Sequence, residues 1–210
     1  MSYTLVLGSK NLSSWSLRPW LAMRQFGLDF TEVVIELDRP ETQAQILAHS
    51  PAGRVPVLKF DDEVVWDSLA ILETLAERHG ELPFWPRDAR ARVRARSIAA
   101  EMHAGFAAMR DELPMDCRLR TSTPPLSADA LDDIARVRAI WRDARAAWGD
   151  DGAFLFGRFC IADAMYAPVV SRFVSYAVEL DAPCRAYVDA MMALPAMQAW
   201  LQAAEAGPGA

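Results

Sequence analysis

Apolar and polar positions change rhythm part-way along this chain. Tyr3–Leu7 is apolar almost without interruption and stops at Gly8, which predicts a short buried strand. A polar stretch follows, Ser9-Lys10-Asn11-Leu12-Ser13-Ser14-Trp15. After it comes a helix from about Ser16 to Phe26, with Ser16 able to cap it, Pro19 in the first turn and Gly27 in the left-handed position past its end. Glu32–Leu37 alternates enough for a second strand, and Thr42–Ala48 reads as a weaker short helix. Val55–Phe60 and Val64–Trp66 flank the turn pair Asp61-Asp62 and predict a tight hairpin. Pro56, which has no N–H to give a ladder, belongs at the first residue of its strand. Beyond Trp66 the period lengthens. Leu69, Leu72 and Leu75 mark a helix with Asp67 or Ser68 at its N-cap and Gly80 at its stop.

Residues 81–87, with Pro83, Trp85 and Pro86, read as a linker, and past them only helical patterns remain. Ile98, Met102, Phe106, Met109 and Leu113 form one stripe, expected on a single helix ended by Pro114. A loop rich in Ser, Thr and Pro runs from Met115 to Ser127, long enough to overhang a site. Leu131, Ile134, Val137, Trp141 and Trp148 make a second stripe, and Ile161–Tyr176 a third helix that Pro168 should kink. Shorter helices follow at Arg185–Ala193 and Pro195–Ala204, and Gly207-Pro208-Gly209-Ala210 is expected to fray. The first 80 residues thus run β-α-β-α-β-β-α, the order of a thioredoxin-like fold with a mixed sheet. The expected class is α+β with two domains: a thioredoxin-like unit over 1–80, a linker over 81–87 and an all-α unit over 88–210.

Composition narrows the function classes. At 210 residues, 52% apolar and 24% charged, the chain reads as a soluble globular protein. It contains no long apolar run and no basic-then-apolar leader, so neither a membrane span nor a signal peptide is expected. Cys117, Cys160 and Cys184 show no pairing or His spacing, which argues against a disulfide framework or a metal site and for a reducing cytoplasm. A net charge of −6 argues against nucleic acid or an anionic membrane as partner. Arg87, Arg90, Arg92, Arg94 and Arg96 do not reverse that. On a helix they split into the stripes Arg90/Arg94 and Arg92/Arg96 without interleaved aromatics, suited to ion pairing or solvation.

Candidate chemistry gathers at two helix starts. Free N–H groups at the start of the helix after Asp67-Ser68 can hold a carboxylate. Before the first helix, Ser9, Ser13, Ser14 and Ser16 all qualify by position as hydroxyl donors to an anion. A Val-Pro pair before a hairpin, followed by an acidic residue and Ser opening a helix, resembles the glutathione site of the soluble glutathione transferases. A thioredoxin-like unit followed by an all-helical unit resembles their layout over nearly the whole chain. The resemblance implies glutathione as co-substrate and a cis bond at Val55–Pro56, with the Val55 backbone pairing the cysteinyl unit. It implies that Asp67 and Ser68 hold the γ-glutamyl amine and carboxylate, and that Arg54, Lys10 or His49 meets the glycyl carboxylate.

Ser13-Ser14-Trp15-Ser16-Leu17-Arg18 resembles the zeta-class motif Ser-Ser-Cys-Ser-Trp-Arg, in which the catalytic Ser stands five residues before the Arg. That implies Ser13 as thiol donor, with Ser14 second. Trp15 takes the place of the motif's Cys and excludes a cysteine-based mechanism there. Lowering a thiol pKa by about two units needs about 2.7 kcal/mol, within reach of one charge-assisted hydrogen bond and a nearby helix N-terminus. A hydrophobic electrophile for conjugation, or a peroxide or isomerisable substrate for related glutathione-dependent peroxidase or isomerase chemistry, is expected between the domains, against Glu101, Met102, His103, Phe106 and the 115–127 loop. Arg110 and Arg172 are further functional candidates there. The resemblance also implies a homodimer and no metal. The alternative is a non-catalytic ligand-binding or interaction module of the same fold. Tyr3 and Trp66 are assigned to packing. Asp163, which can reach back to the Cys160 N–H, is assigned to folding rather than catalysis.

Overall fold

The structure is a computed structural model that describes residues 2–207; the fraying expected at 208–210 lies outside the described residues. Four strands form one mixed sheet in the order β2-β1-β3-β4: β1 (Tyr3–Gly8), β2 (Phe30–Ile35), β3 (Val57–Phe60) and β4 (Glu63–Trp66). β1 runs parallel to β2 and antiparallel to β3, and β3–β4 is the hairpin read from Asp61-Asp62. As a central strand β1 is buried on both faces, which is why its sequence does not alternate.

Helix α1 (Ser14–Gln25) crosses from β1 to β2, and Gly27 follows it at φ +71°. The predicted cap was one turn late. Ser13 caps the helix and Ser16 lies inside it, because the non-helical backbone of Ser13, at ψ 87°, lets its hydroxyl accept the Ser16 N–H at 3.3 Å. Helix α2 (Thr42–Leu47) covers the sheet face formed by Val6, Ile35 and Val57 through Ile46. Helix α3 (Ser68–Arg78) packs with α1 and is capped by Asp67. It stops at His79, one residue before the expected Gly80.

Six further helices lie among the described residues: α4 (Ala89–Ala104), α5 (Ala107–Glu112), α6 (Ala128–Trp148), α7 (Ile161–Ser175), α8 (Ala182–Met192) and α9 (Pro195–Ala206). The stripe from Ile98 to Leu113 is not one helix. Gly105 ends α4, and Phe106 turns left-handed at φ +61° so that its ring stays in the core while α5 restarts. Leu131 leaves the second stripe and is 54% exposed, whereas Ile134, Val137, Ile140 and Trp141 are buried.

Helix α1 is the shared element. It packs on α3 and also on α7 and α9, so a single hydrophobic core runs from the sheet into the helical half. Residues 81–87 are packed rather than free: the Phe84 ring sits 4.2 Å from Phe26, and the Phe84 carbonyl accepts the Ile161 N–H at 2.8 Å. No helix among the described residues is long and apolar enough to cross a membrane.

Candidate active site

A cleft of about 900 Å³ opens where the loop before α1, the β3 entry, the start of α3 and α5 converge. Ser13, Ser14, Trp15, Arg54, Val55, Pro56, Trp66, Asp67, Ser68 and Arg110 all line it, residues separated by almost the whole sheet domain in sequence. The Val55–Pro56 bond is cis, as the resemblance implied.

Asp67 is held at φ +74°, a costly conformation for a residue with a Cβ. Its Oδ1 accepts the Leu69 N–H at 2.9 Å and caps α3, while Oδ2 lies 3.5 Å from His103 Nε2. One carboxylate oxygen therefore fixes the helix start and the other faces the helical half. Ser68, the first residue of α3, is fully buried, and its hydroxyl accepts from Arg18 at 3.4 Å.

Ser13 and Ser14 differ in their surroundings. Ser13 is 5% exposed, and its hydroxyl lies 2.7 Å from that of Ser16, which in turn accepts the Gly8 N–H at 3.0 Å. Ser14 is half-buried, and its hydroxyl makes no hydrogen bond among the described residues. Both stand at the N-terminus of α1, where unpaired N–H groups and the dipole favour negative charge.

Arg18 is the residue the sequence reading passed over except as a marker for Ser13. It is 2% exposed beneath Ser68, its guanidinium lies 4.2 Å from the Trp15 ring, and its Nε has no partner. Burial, and then repulsion from Arg110 and Arg172, bring its pKa down to about 9. A signal was available: a lone charge, an arginine, inside the otherwise uncharged and mostly apolar run Ser16–Met23. Arg110 approaches Trp15 at 4.9 Å, and His103 meets that ring edge-on at 5.3 Å. The indole thus forms a wall fixed by two cations and an imidazole.

Several expected ligand residues are elsewhere. Lys10 is 2.6 Å from Glu32 and sits between Trp20 and Trp200, and His49 pairs with Lys59 at 3.3 Å. Of the three candidates for a carboxylate, only Arg54 reaches the cleft. Met102 and Phe106 are buried in the core, because the helical stripe packs inward, and only His103 of that trio comes near the site. Glu101 is taken by Arg136 at 2.7 Å.

The 115–127 loop is not an overhang. Its Cys117 and Arg118 N–H groups bond to Asn11, and Thr121 bonds to Ser175, so it buttresses the serine loop from behind. Arg172 braces the same region, donating to the Leu113 and Pro168 carbonyls. Trp66, assigned to packing, is instead 46% exposed on the cleft rim, because edge strand β4 leaves it uncovered. Tyr3 is core, as expected.

Comparison with known proteins agrees with this geometry. Residues 12–78 match the family model described as glutathione S-transferase, N-terminal domain. A probable maleylacetoacetate isomerase of Caenorhabditis elegans is 32% identical over 93 residues, 44% of this chain and 42% of that protein. The maleylacetoacetate isomerase of Rhizobium meliloti is 43% identical over 94 residues, 43% of this chain and 44% of that protein. The matched stretch therefore spans less than half the length of these curated relatives. Among solved structures, a Burkholderia glutathione transferase homologue with bound glutathione superposes with a TM-score of 0.73 at 22% identity, covering 98% of this chain and 99% of that one. A theta-class glutathione S-transferase from Xanthomonas axonopodis with glutathione bound gives 0.67 at 20% identity, over 95% and 96% of the two chains. Over residues 12–78 the chain is thus similar to the glutathione S-transferase N-terminal domain, and nearly its whole length has the fold of the glutathione transferases.

Proposed function

We propose that this protein is a glutathione transferase that activates the glutathione thiol with a serine hydroxyl for attack on a hydrophobic electrophile. The observation that carries the reading is the convergence in one cleft of Ser13 and Ser14 at a helix start, a cis Val55–Pro56 bond, and the Asp67-Ser68 start of a second helix. In this assignment residues 1–80 bind glutathione, residues 88–210 complete the second-substrate site, and 81–87 join them. The Val55 backbone pairs the cysteinyl amide, Asp67 takes the γ-glutamyl amine, Ser68 and the α3 N-terminus take its carboxylate, and Arg54 meets the glycyl carboxylate.

Ser13 donates to the sulfur, with Ser14 as the alternative donor. A thiol with an ordinary pKa near 8.5 is only a few per cent ionised at neutral pH. A hydroxyl hydrogen bond to the thiolate, in the positive field of the α1 start, favours the charged form. The thiol proton leaves to solvent on ionisation; the thiolate then forms its bond to the electrophilic carbon as a leaving group departs with the bonding pair, or as an activated double bond opens and takes a proton from solvent. Isomerase chemistry, which the names of the matched relatives point to, would use the same thiolate as a transient adduct-forming group. Action as a cytoplasmic homodimer without a metal completes the proposal.

The test is the ultraviolet thiolate band that appears on adding glutathione at neutral pH, for wild type and Ser13→Ala. The band is expected in wild type and lost in the variant. Its persistence in Ser13→Ala transfers the role to Ser14. If wild type shows neither a band nor heat of glutathione binding, the enzyme reading gives way to a non-catalytic module.

A further inference from the structure

A polar atom sealed without a partner fixes how one side chain beside the cleft carries its proton. His103 sits in the last turn of α4 and its side chain is 28% exposed, yet its Nδ1 is buried and has no hydrogen-bond partner among the described residues. A proton placed on Nδ1 would be buried and unsatisfied, a larger loss than one hydrogen bond returns. The neutral imidazole therefore keeps its proton on Nε2, and the imidazolium carries one there as well. In both forms the protonated nitrogen is the one that faces Asp67, with Oδ2 at 3.5 Å.

Asp67 gives that contact its importance. Its backbone is held at φ +74°, a conformation that persists only where the surroundings over-determine it. Oδ1 is committed to the Leu69 N–H at 2.9 Å, and Oδ2 makes no hydrogen bond or ion pair among the described residues except the contact with His103. The same imidazole meets Trp15 edge-on at 5.3 Å, beside Ser14 at the start of α1. Met102, its neighbour on α4, is fully buried, so the ring extends from an anchored backbone. His103 does not itself line the cleft. It braces the two helix starts that do, the ones proposed to hold the γ-glutamyl and thiol ends of glutathione.

We propose that His103 is a positioning residue for glutathione: it holds the Asp67 carboxylate where Oδ2 meets the γ-glutamyl amine, so that the helical half sets how strongly that amine is recognised. A carboxylate oxygen accepts two donors, and the amine takes the place that His103 leaves open. No bond is made or broken and no proton is transferred. This inference rests on the reading of Asp67 as the partner of the amine, and it moves His103 from the second-substrate side to the glutathione side.

The experiment compares calorimetric binding of glutathione with that of glutaryl-cysteinyl-glycine, which keeps the thiol and both carboxylates and lacks only the amine. The proteins are wild type, His103→Leu, His103→Gln and Asp67→Asn, and the quantity read is the ratio of the two Kd values. Wild type is expected to prefer glutathione. His103→Leu should cut that preference about three- to fivefold, the size of a partly exposed charge contact. His103→Gln, whose amide nitrogen can stand where Nε2 stands, should retain it, and Asp67→Asn should abolish it. A merely structural role for His103 would weaken both ligands alike and leave the ratio unchanged, and that result would overturn the proposal. A preference that survives Asp67→Asn would instead defeat the reading of Asp67, and the positioning with it. Wild type that binds neither ligand would defeat the glutathione reading itself. Should His103→Leu fail to fold, nitrogen NMR of the labelled wild-type imidazoles in alkaline solution decides. A proton on His103 Nε2 whose signal responds to glutathione and not to the analogue supports the proposal. A proton on Nδ1, or no response, overturns it.

Discussion

Asp163 permits a stability prediction in which opposing terms separate by pH. Its Oδ1 accepts the Leu155 N–H at 3.1 Å and its Oδ2 the Cys160 N–H at 2.9 Å, all within the core at the start of α7. Asp163→Ala leaves both donors dry and unpaired, at about 1–3 kcal/mol each, so a net loss of about 2 to 4 kcal/mol is expected near neutral pH. Against those bonds stands the burial of the charge, which lifts the carboxyl from 3.8 to about 6. Because the folded pKa lies above the unfolded one, the native state retains a proton that the unfolded chain has lost between those values. Wild type therefore gains stability as pH falls through about 6, and the alanine variant does not. The gain is on the order of 1 kcal/mol at about pH 5 relative to about pH 8, so the cost of Asp163→Ala grows on acidification. Urea unfolding of both proteins at the two pH values, followed by tryptophan fluorescence, measures it. A cost that is flat or shrinks toward acid pH would refute the reasoning, since it would mean the carboxylate is stabilised as an ion.

Further predictions concern the cleft and its supports. Asp67→Ala should lose the α3 cap, about 1 kcal/mol of stability, together with glutathione affinity, whereas Asp67→Asn keeps the cap and loses only affinity; calorimetry beside thermal melts separates the two. Arg54→Ala should weaken glutathione binding roughly fivefold without moving the pKa of the bound thiol, because the role proposed for it is to meet the glycyl carboxylate and not the sulfur. Arg18→Met, which fills the same space without charge, should leave stability level or improved in denaturant titrations while glutathione affinity falls about tenfold. Glu32→Gln removes the charge facing Lys10 and Arg24 and one of the two acceptor oxygens and should cost about 1 kcal/mol, read from the urea midpoint, the partly exposed setting limiting the effect.

Period and punctuation along the chain determined most of the local structure. The change from two-residue to helical spacing after Trp66, the Asp61-Asp62 turn and the caps at Asp67 and Gly27 are properties of neighbouring residues, and they were legible. Ser13, Val55, Asp67 and Ser68 were legible as a set because each stands at an element boundary, where sequence signals are strongest. Tertiary structure decided matters of facing and partnership. Periodicity shows that Met102 and Phe106 share a stripe but not that the stripe turns inward, and it cannot register the left-handed turn at Phe106, which preserves the same facing across a break. Lys10 and His49 have the right charge for a carboxylate, yet each is claimed by a partner distant in sequence. Trp66 became a cleft residue only because β4 lies at the sheet edge, and Arg18 became the buried cation only because α1 is enclosed by both halves. Ser16 shows the division most plainly. The sequence marks it as a serine near a helix start, and only packing sets its buried hydroxyl where it accepts from both the Gly8 N–H and the Ser13 hydroxyl.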